Sequence, residues 1–142
     1  LIANYAVIPA WLLLVLLPHH ALTQTLVHAV WIPLLLGPFY IWALFFGAPA
    51  PEGAGFGSLA GVMLLFTSTT AVLGGWIHYL VFDLFIGAWI VRDAQRQSIN
   101  HWLTVPLLFA TLMAGPAGLM AYLLLRLALR GTTTLAETPS PA

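Results

Sequence analysis

This chain of 142 residues has no cysteine and no lysine, and only 6% of it is charged: four arginines and four acids, for a formal net charge of zero. Without cysteine there can be no disulfide, no thiolate nucleophile and no zinc–thiolate centre. Four arginines cannot form the basic stripe that nucleic acid requires, so a nucleic-acid partner is excluded. Five histidines are present, but none stands in a His-x-x-x-His or Glu-x-x-His spacing, so no metal site is expected. No internal repeat marks the two halves of a carrier. The scarcity of charge is the most restrictive of these absences. A soluble domain covers itself with about a quarter charged residues, and this chain has too few to do so.

What fills the chain is apolar: 61% is hydrophobic and mean hydropathy is +0.99. Membrane lipid is therefore the expected surroundings. A bilayer core about 30 Å thick needs roughly 20 apolar residues per helix, and open strands cannot satisfy their backbone there. The expected fold is an all-α integral membrane protein, a four-transmembrane-helix bundle with kinked helices. Residues 2–17 form the first span, and residues 26–46, interrupted by Pro33 and Gly37-Pro38, the second. A Gly/Pro-rich loop covers 47–58, and 58–66 form a short interfacial helix before the third span at 72–91. Residues 92–100 read as a polar loop. His101–Arg130 is the fourth span, bent at Pro106 and at Gly115-Pro116. Residues 1–130 thus make one transmembrane domain and 131–142 a disordered polar tail. This arrangement puts both termini on one side, with Arg92 and Arg96 opposite Arg126 and Arg130, so the arginine count gives no orientation. Six tryptophans lie mostly near span ends, as interfacial belts do.

Asp83 breaks the apolar pattern. It lies about ten residues, or roughly 15 Å, from either end of its span. A charge there costs on the order of 3 kcal/mol, so the side chain must face protein, water or a ligand. Trp76, Tyr79, Asp83, Gly87 and Ile90 recur at steps of three and four and share its stripe. Gly87 on that stripe lets a helix or ligand approach closely. His78 lies about 140° around the helix from Asp83 and flanks the stripe. Two readings stand: Asp83 as an interhelical hydrogen-bonded staple, or as a group that does chemistry. His78 and His101 are open to either role. His19, His20 and His28 read as interface residues. Arg92, Asp93 and Arg96 read as a solvated cap on the loop, or as holders of a polar substrate end.

The stretch HYLVFDLFIGAWIVRDAQRQSINHW and the later GPAGLMAYLLLR resemble the abscisic-acid-deficient-four-like family of small membrane proteins. The similarity rests on Ala3-Asn4, Pro9-x-Trp11, the core His78-Tyr79-x-x-x-Asp83-Leu84-Phe85-x-Gly87, then Trp89, Asp93, His101 and Gly115-Pro116-x-Gly118. It covers nearly the whole chain apart from the tail. Ala88 stands where the family usually has arginine, Asn100 where it favours proline, and His19-His20 replace an arginine-rich character.

The family is linked in plants to neoxanthin formation, so the resemblance implies a role in carotenoid or isoprenoid metabolism. Its plant reaction opens an epoxide to an allenic alcohol without net oxidation, which needs an acid at the oxygen and a base at the departing proton. Asp83 is the candidate acid, His78 or His101 the base, and Tyr79 an assistant. Trp76, Gly87, Trp89, Arg92 and Asp93 are candidates for holding a hydrophobic polyene. No cofactor is required. A pigment-binding accessory subunit, holding a carotenoid or tetrapyrrole, is the alternative. A histidine-rich metal oxidase and a proton-coupled carrier fit less well. The expected location is a multi-pass position in a bacterial inner membrane or its equivalent, as a homo-oligomer or within a larger membrane complex.

Overall fold

The computed structural model describes residues 2–136, and every described element is helical. Five α-helices occur: α1 (Ile2–Leu16), α2 (Trp31–Phe45), α3 (Leu59–Leu65), α4 (Thr69–Arg96) and α5 (His101–Arg130), with a short π-helical turn at Thr23–Val27. By length and composition three stretches could cross a membrane: Thr23–Phe45, Thr69–Arg96 and His101–Arg130; α1 is shorter.

Local chemistry sets the boundaries. Ser58 caps α3 by accepting from the Gly61 amide at 3.1 Å, Ser68 caps α4 through Ala71, and Asn100 caps α5 through Trp102 at 2.9 Å. Each side-chain oxygen satisfies an amide that the helix start leaves without a partner. Gly131 closes α5 with φ +65°, a left-handed conformation that suits glycine. Pro33 falls in the first turn of α2, where no amide is needed.

α4 is the central column, with α1, α2 and α5 all packed on it. α1 runs parallel to it: Asn4 meets Trp76, Trp11 meets Gly87, and Pro18 meets Gln95. α2 returns antiparallel, from His28 beside Arg92 to Ala43 beside Gly74.

Several expected boundaries shift. α2 starts at Trp31, because the chain bends over 28–30 after the π-turn. The short helix before α4 stands where expected, but α4 begins at Thr69 and continues to Arg96, about 42 Å at 1.5 Å per residue. Arg92, Asp93 and Arg96 therefore ride on helix, and the loop shrinks to 97–100. The helix continues because Asp93 and Ala94 still have a face to bury.

The largest difference concerns α5. A straight helix of 30 residues would hold its ends about 45 Å apart. Yet Arg130 Nη2 reaches the Ser98 carbonyl at 2.5 Å, just before the helix begins. Only a chain that doubles back can do this. The reversal is at Ala114, whose φ −156° and ψ 71° are not helical, whereas Pro106 brings no such residue. Tyr79 meets Leu112 just before the break, and beyond it contacts with α4 advance in step: Asp83 with Gly115, Trp89 with Tyr122, and Asp93 with Tyr122 and Arg126. The first half of α5 climbs to the level of Asp83 and the second half descends again. Helix length alone would have made α5 one straight rod.

The described ends accordingly lie at opposite ends of α4, not on one side. Residues 131–136 carry no regular structure, and the Arg126 Nη2 group donates to the Thr134 carbonyl at 2.6 Å. Residues 137–142 of the expected tail lie outside the described residues.

Candidate functional site

The reversal in α5 and the acid in α4 form one construction. Pro116 has no amide hydrogen, so the Leu112 carbonyl four residues earlier loses its helical donor. The Tyr79 hydroxyl donates to that carbonyl instead. The non-helical Ala114 frees the Gly115 amide, which donates to the Asp83 carboxylate. A β-carbon at Gly115 would lie 2.1 Å from Asp83 Oδ1, so only glycine lets the carboxylate come this close. At Gly118 a β-carbon would lie 2.3 Å from the Thr111 backbone nitrogen, as the returning half presses on the outgoing one. Gly115, Pro116 and Gly118 are thus the three residues this turn requires.

Asp83 is 8% exposed. Its Oδ2 is buried with no hydrogen-bond partner among the described residues. One oxygen thus faces the α5 amide and the other remains available. A carboxyl group in this state can accept a hydrogen bond from a hydroxyl, or donate its own proton.

One turn further along α4 lies Gly87. A β-carbon there would sit 2.5 Å from the Trp11 ring, so the six-membered ring of the indole packs directly against the glycine. Gly87→Ala is expected to destabilise the protein by about 1–3 kcal/mol through overpacking, read as a lower melting temperature in detergent. A melting curve matching wild type would show the ring moves aside freely. Trp76 Nε1 donates to Asn4 Oδ1 at 2.7 Å, so Asn4 and Trp11, one residue from each early motif, are spent on α4.

The remaining candidates make their contacts with other groups than Asp83. His78 is exposed on the α2 side of α4, stacked on Phe82 at 4.4 Å and tilted against Tyr40 at 5.9 Å. It lines an apolar groove of about 290 Å³ with Tyr40, Phe56 and Phe66. His101 lies at the foot of α5, about 21 Å of helix from Gly115. Its Nε2 donates to the Val15 carbonyl at 2.9 Å and its Nδ1 lies 3.3 Å from Thr104 Oγ1. That pattern ties α5 to the end of α1.

Arg92, Asp93 and Trp89 belong to a second cluster near the foot of α4. Asp93 is 1% exposed, so the expected solvated cap is instead a buried ion pair. Arg126 Nε lies 2.8 Å from Asp93 Oδ2, close enough for an ion pair although its N–H is not aimed along a hydrogen bond. The Tyr122 hydroxyl donates to the same oxygen at 2.6 Å, and Arg96 reaches Oδ1 at 3.2 Å. Trp89 packs edge-on against Tyr122 at 5.8 Å. Arg92 Nη1 lies 3.1 Å from His28 Nδ1. Arginine is always protonated, so that ring nitrogen accepts. No group of three or more metal-ligating side chains occurs among the described residues.

Tyr122 escaped the sequence reading, Arg126 entered it only in the arginine count, and His28 only as an interface residue. One signal was available for the pair with Asp93: an arginine inside the last apolar run needs an acid within reach.

Comparison with known proteins adds to this geometry. The family model described as ABA DEFICIENT 4-like matches residues 1–122. Protein ABA DEFICIENT 4, chloroplastic, of Arabidopsis thaliana is 26% identical over 130 residues, covering 85% of this chain and 57% of that protein. The chain therefore spans little more than half the length of this relative. No solved structure matches.

Proposed function

Because the chain belongs to the ABA DEFICIENT 4-like family, we propose that it is an integral, multi-pass membrane protein of carotenoid metabolism. Its chemical centre is Asp83, assisted by Tyr79, and it performs isomerase-type acid/base chemistry on the end group of a polyene. The observation that carries this reading is the buried Asp83 carboxylate, whose Oδ2 has no partner among the described residues and lies beside the break in α5. An isomerisation that opens a strained C–O ring needs a proton moved from carbon to oxygen and no redox partner. In this scheme Asp83 Oδ2 gives or takes that proton. Tyr79 holds the α5 turn through the Leu112 carbonyl and so fixes where the acid points. His101, tied to Val15, has a structural task in this scheme. His78 faces a different surface.

The test is pigment analysis in a host producing several carotenoids. Asp83→Asn keeps the shape and the hydrogen bond from Gly115 but removes the acid. It is expected to abolish conversion while membrane abundance stays at the wild-type level. General acid–base contributions of this kind are worth about 10²–10⁴-fold. A pigment profile unchanged by the substitution would refute the proposal.

A second reading has its own observation: the aromatic groove at His78, about 290 Å³. That volume suits the ring end of a long pigment, with the chain running along the lipid-facing surface. A stoichiometric pigment absorption in the purified protein, with no product formed, would favour binding without chemistry.

A further inference from the structure

The doubling back of α5 changes how the ends of the chain are distributed. The Asp93–Arg126 pair and the Arg130–Ser98 contact bring the last turns of α5 beside the foot of α4. Arg92 and Arg96 are already there. All four arginines of the chain therefore stand at one end of the molecule, where Asp93 is the one carboxylate beside them among the described residues. His19, His20, His28 and His101 flank the same end, since Pro18 meets Gln95 and His28 meets Arg92. At the opposite end, Gly47 abuts Thr70 and leads into the loop before α3. Glu52 is the single charged residue in that loop.

We propose that α5 is a re-entrant helical hairpin, entering and leaving the bilayer on one side with its Gly115-Pro116 tip at Asp83. The arginine-bearing end meets the anionic lipid headgroups of the leaflet facing the compartment in which the chain is made. The inference rests on the membrane-embedded part of the function proposed above, and not on its chemistry.

The physical case has two parts. A helix reversal inside hydrocarbon is tolerated only where protein covers the freed backbone groups. Here the Tyr79 hydroxyl covers the Leu112 carbonyl, and Asp83 covers the Gly115 amide. Orientation follows from charge, because segments rich in arginine stay on the side of synthesis, and anionic headgroups attract them. Ion pairs within the cluster do not undo this bias, because orientation follows the count of basic residues and acids contribute little to it. A straight fourth crossing would place Arg130 at the opposite end, where it could not reach Ser98.

The absence of cysteine makes the test direct. Single cysteines are placed by Gly57→Cys in the loop before α3, Gln97→Cys after α4, and Thr133→Cys beyond α5. The full chain is produced in a bacterial inner membrane, and spheroplasts are treated with a membrane-impermeant maleimide before and after permeabilisation. Gly57→Cys is expected to react at once, and Gln97→Cys and Thr133→Cys only after permeabilisation. If Thr133→Cys reacts together with Gly57→Cys, α5 crosses and the hairpin is refuted. If Gln97→Cys and Thr133→Cys react together at once, the hairpin stands and the orientation is refuted. A third arm tests charge directly: Arg96→Gln with Arg130→Gln and an added Gly55→Arg should make part of the Gln97→Cys population react from outside. No change there would overturn the headgroup assignment. Release of the protein by alkaline carbonate would instead overturn the membrane-embedded reading itself, which separates the two failures.

Discussion

Gly115→Ala is expected to destabilise the protein by about 3 kcal/mol, at the upper end of the usual overpacking cost. The new methyl would lie 2.1 Å from Asp83 Oδ1 and 2.7 Å from its Cγ. Neither partner can retreat easily. The carboxylate is buried beneath α5, and Gly115 follows the one non-helical residue of the turn. Thermal denaturation in detergent should show the loss, together with a smaller folded fraction on gel filtration. The decisive measurement is a double-mutant cycle with Asp83→Ala. Removing the carboxylate costs stability by leaving the Gly115 amide unmet, yet it makes room for the methyl. The two changes together should be less harmful than their sum by at least about 1 kcal/mol, as contacting residues usually are. Strict additivity would mean that the acid and the tip are not in contact.

A loss of similar size is expected at the foot of α4. Arg126→Met leaves Asp93 buried at 1% exposure without its closest cation. Stranding a buried charge costs about 3–5 kcal/mol, and the remaining contact to Arg96 at 3.2 Å holds the effect near the lower figure. The contrast is Arg96→Met. Its side chain is 33% exposed, so solvent screens the pair and the loss should stay below about 1 kcal/mol. Replacing both buried partners, Asp93→Leu with Arg126→Met, should recover most of the stability, because two apolar groups leave no charge behind. Melting temperatures of the four proteins test this ordering. Equal effects from Arg96→Met and Arg126→Met would show that burial does not control the pair.

Both predictions concern residues whose importance could be suspected in the sequence but not assigned. Asp83 stood out because a carboxylate in an apolar run needs a reason to be there. Tyr79 stood out through helical spacing, and Gly115, Pro116 and Gly118 through resemblance. Nothing in the spacing joined these two groups, which lie more than thirty residues apart. Periodicity reports which face a residue occupies, and not what lies opposite. His101 was grouped with Asp83 for want of that information, and the structure places it at the end of α1. Arg92, Asp93 and Arg96 looked like a loop because they are polar and adjacent, yet Asp93 is among the most buried residues of the chain.

The sequence by itself determined that the fold is helical and apolar, and that one acid sits midway along the longest apolar stretch outside α5. These follow from composition and short-range spacing, which local backbone chemistry reads directly. Only the tertiary structure decided that α5 reverses on itself, that its tip meets Asp83, and that all four arginines gather at one end. A single residue, Ala114, makes that difference. Its departure from helix is stabilised by partners on another element, and no local pattern records a hydrogen bond that Tyr79 donates across 33 residues.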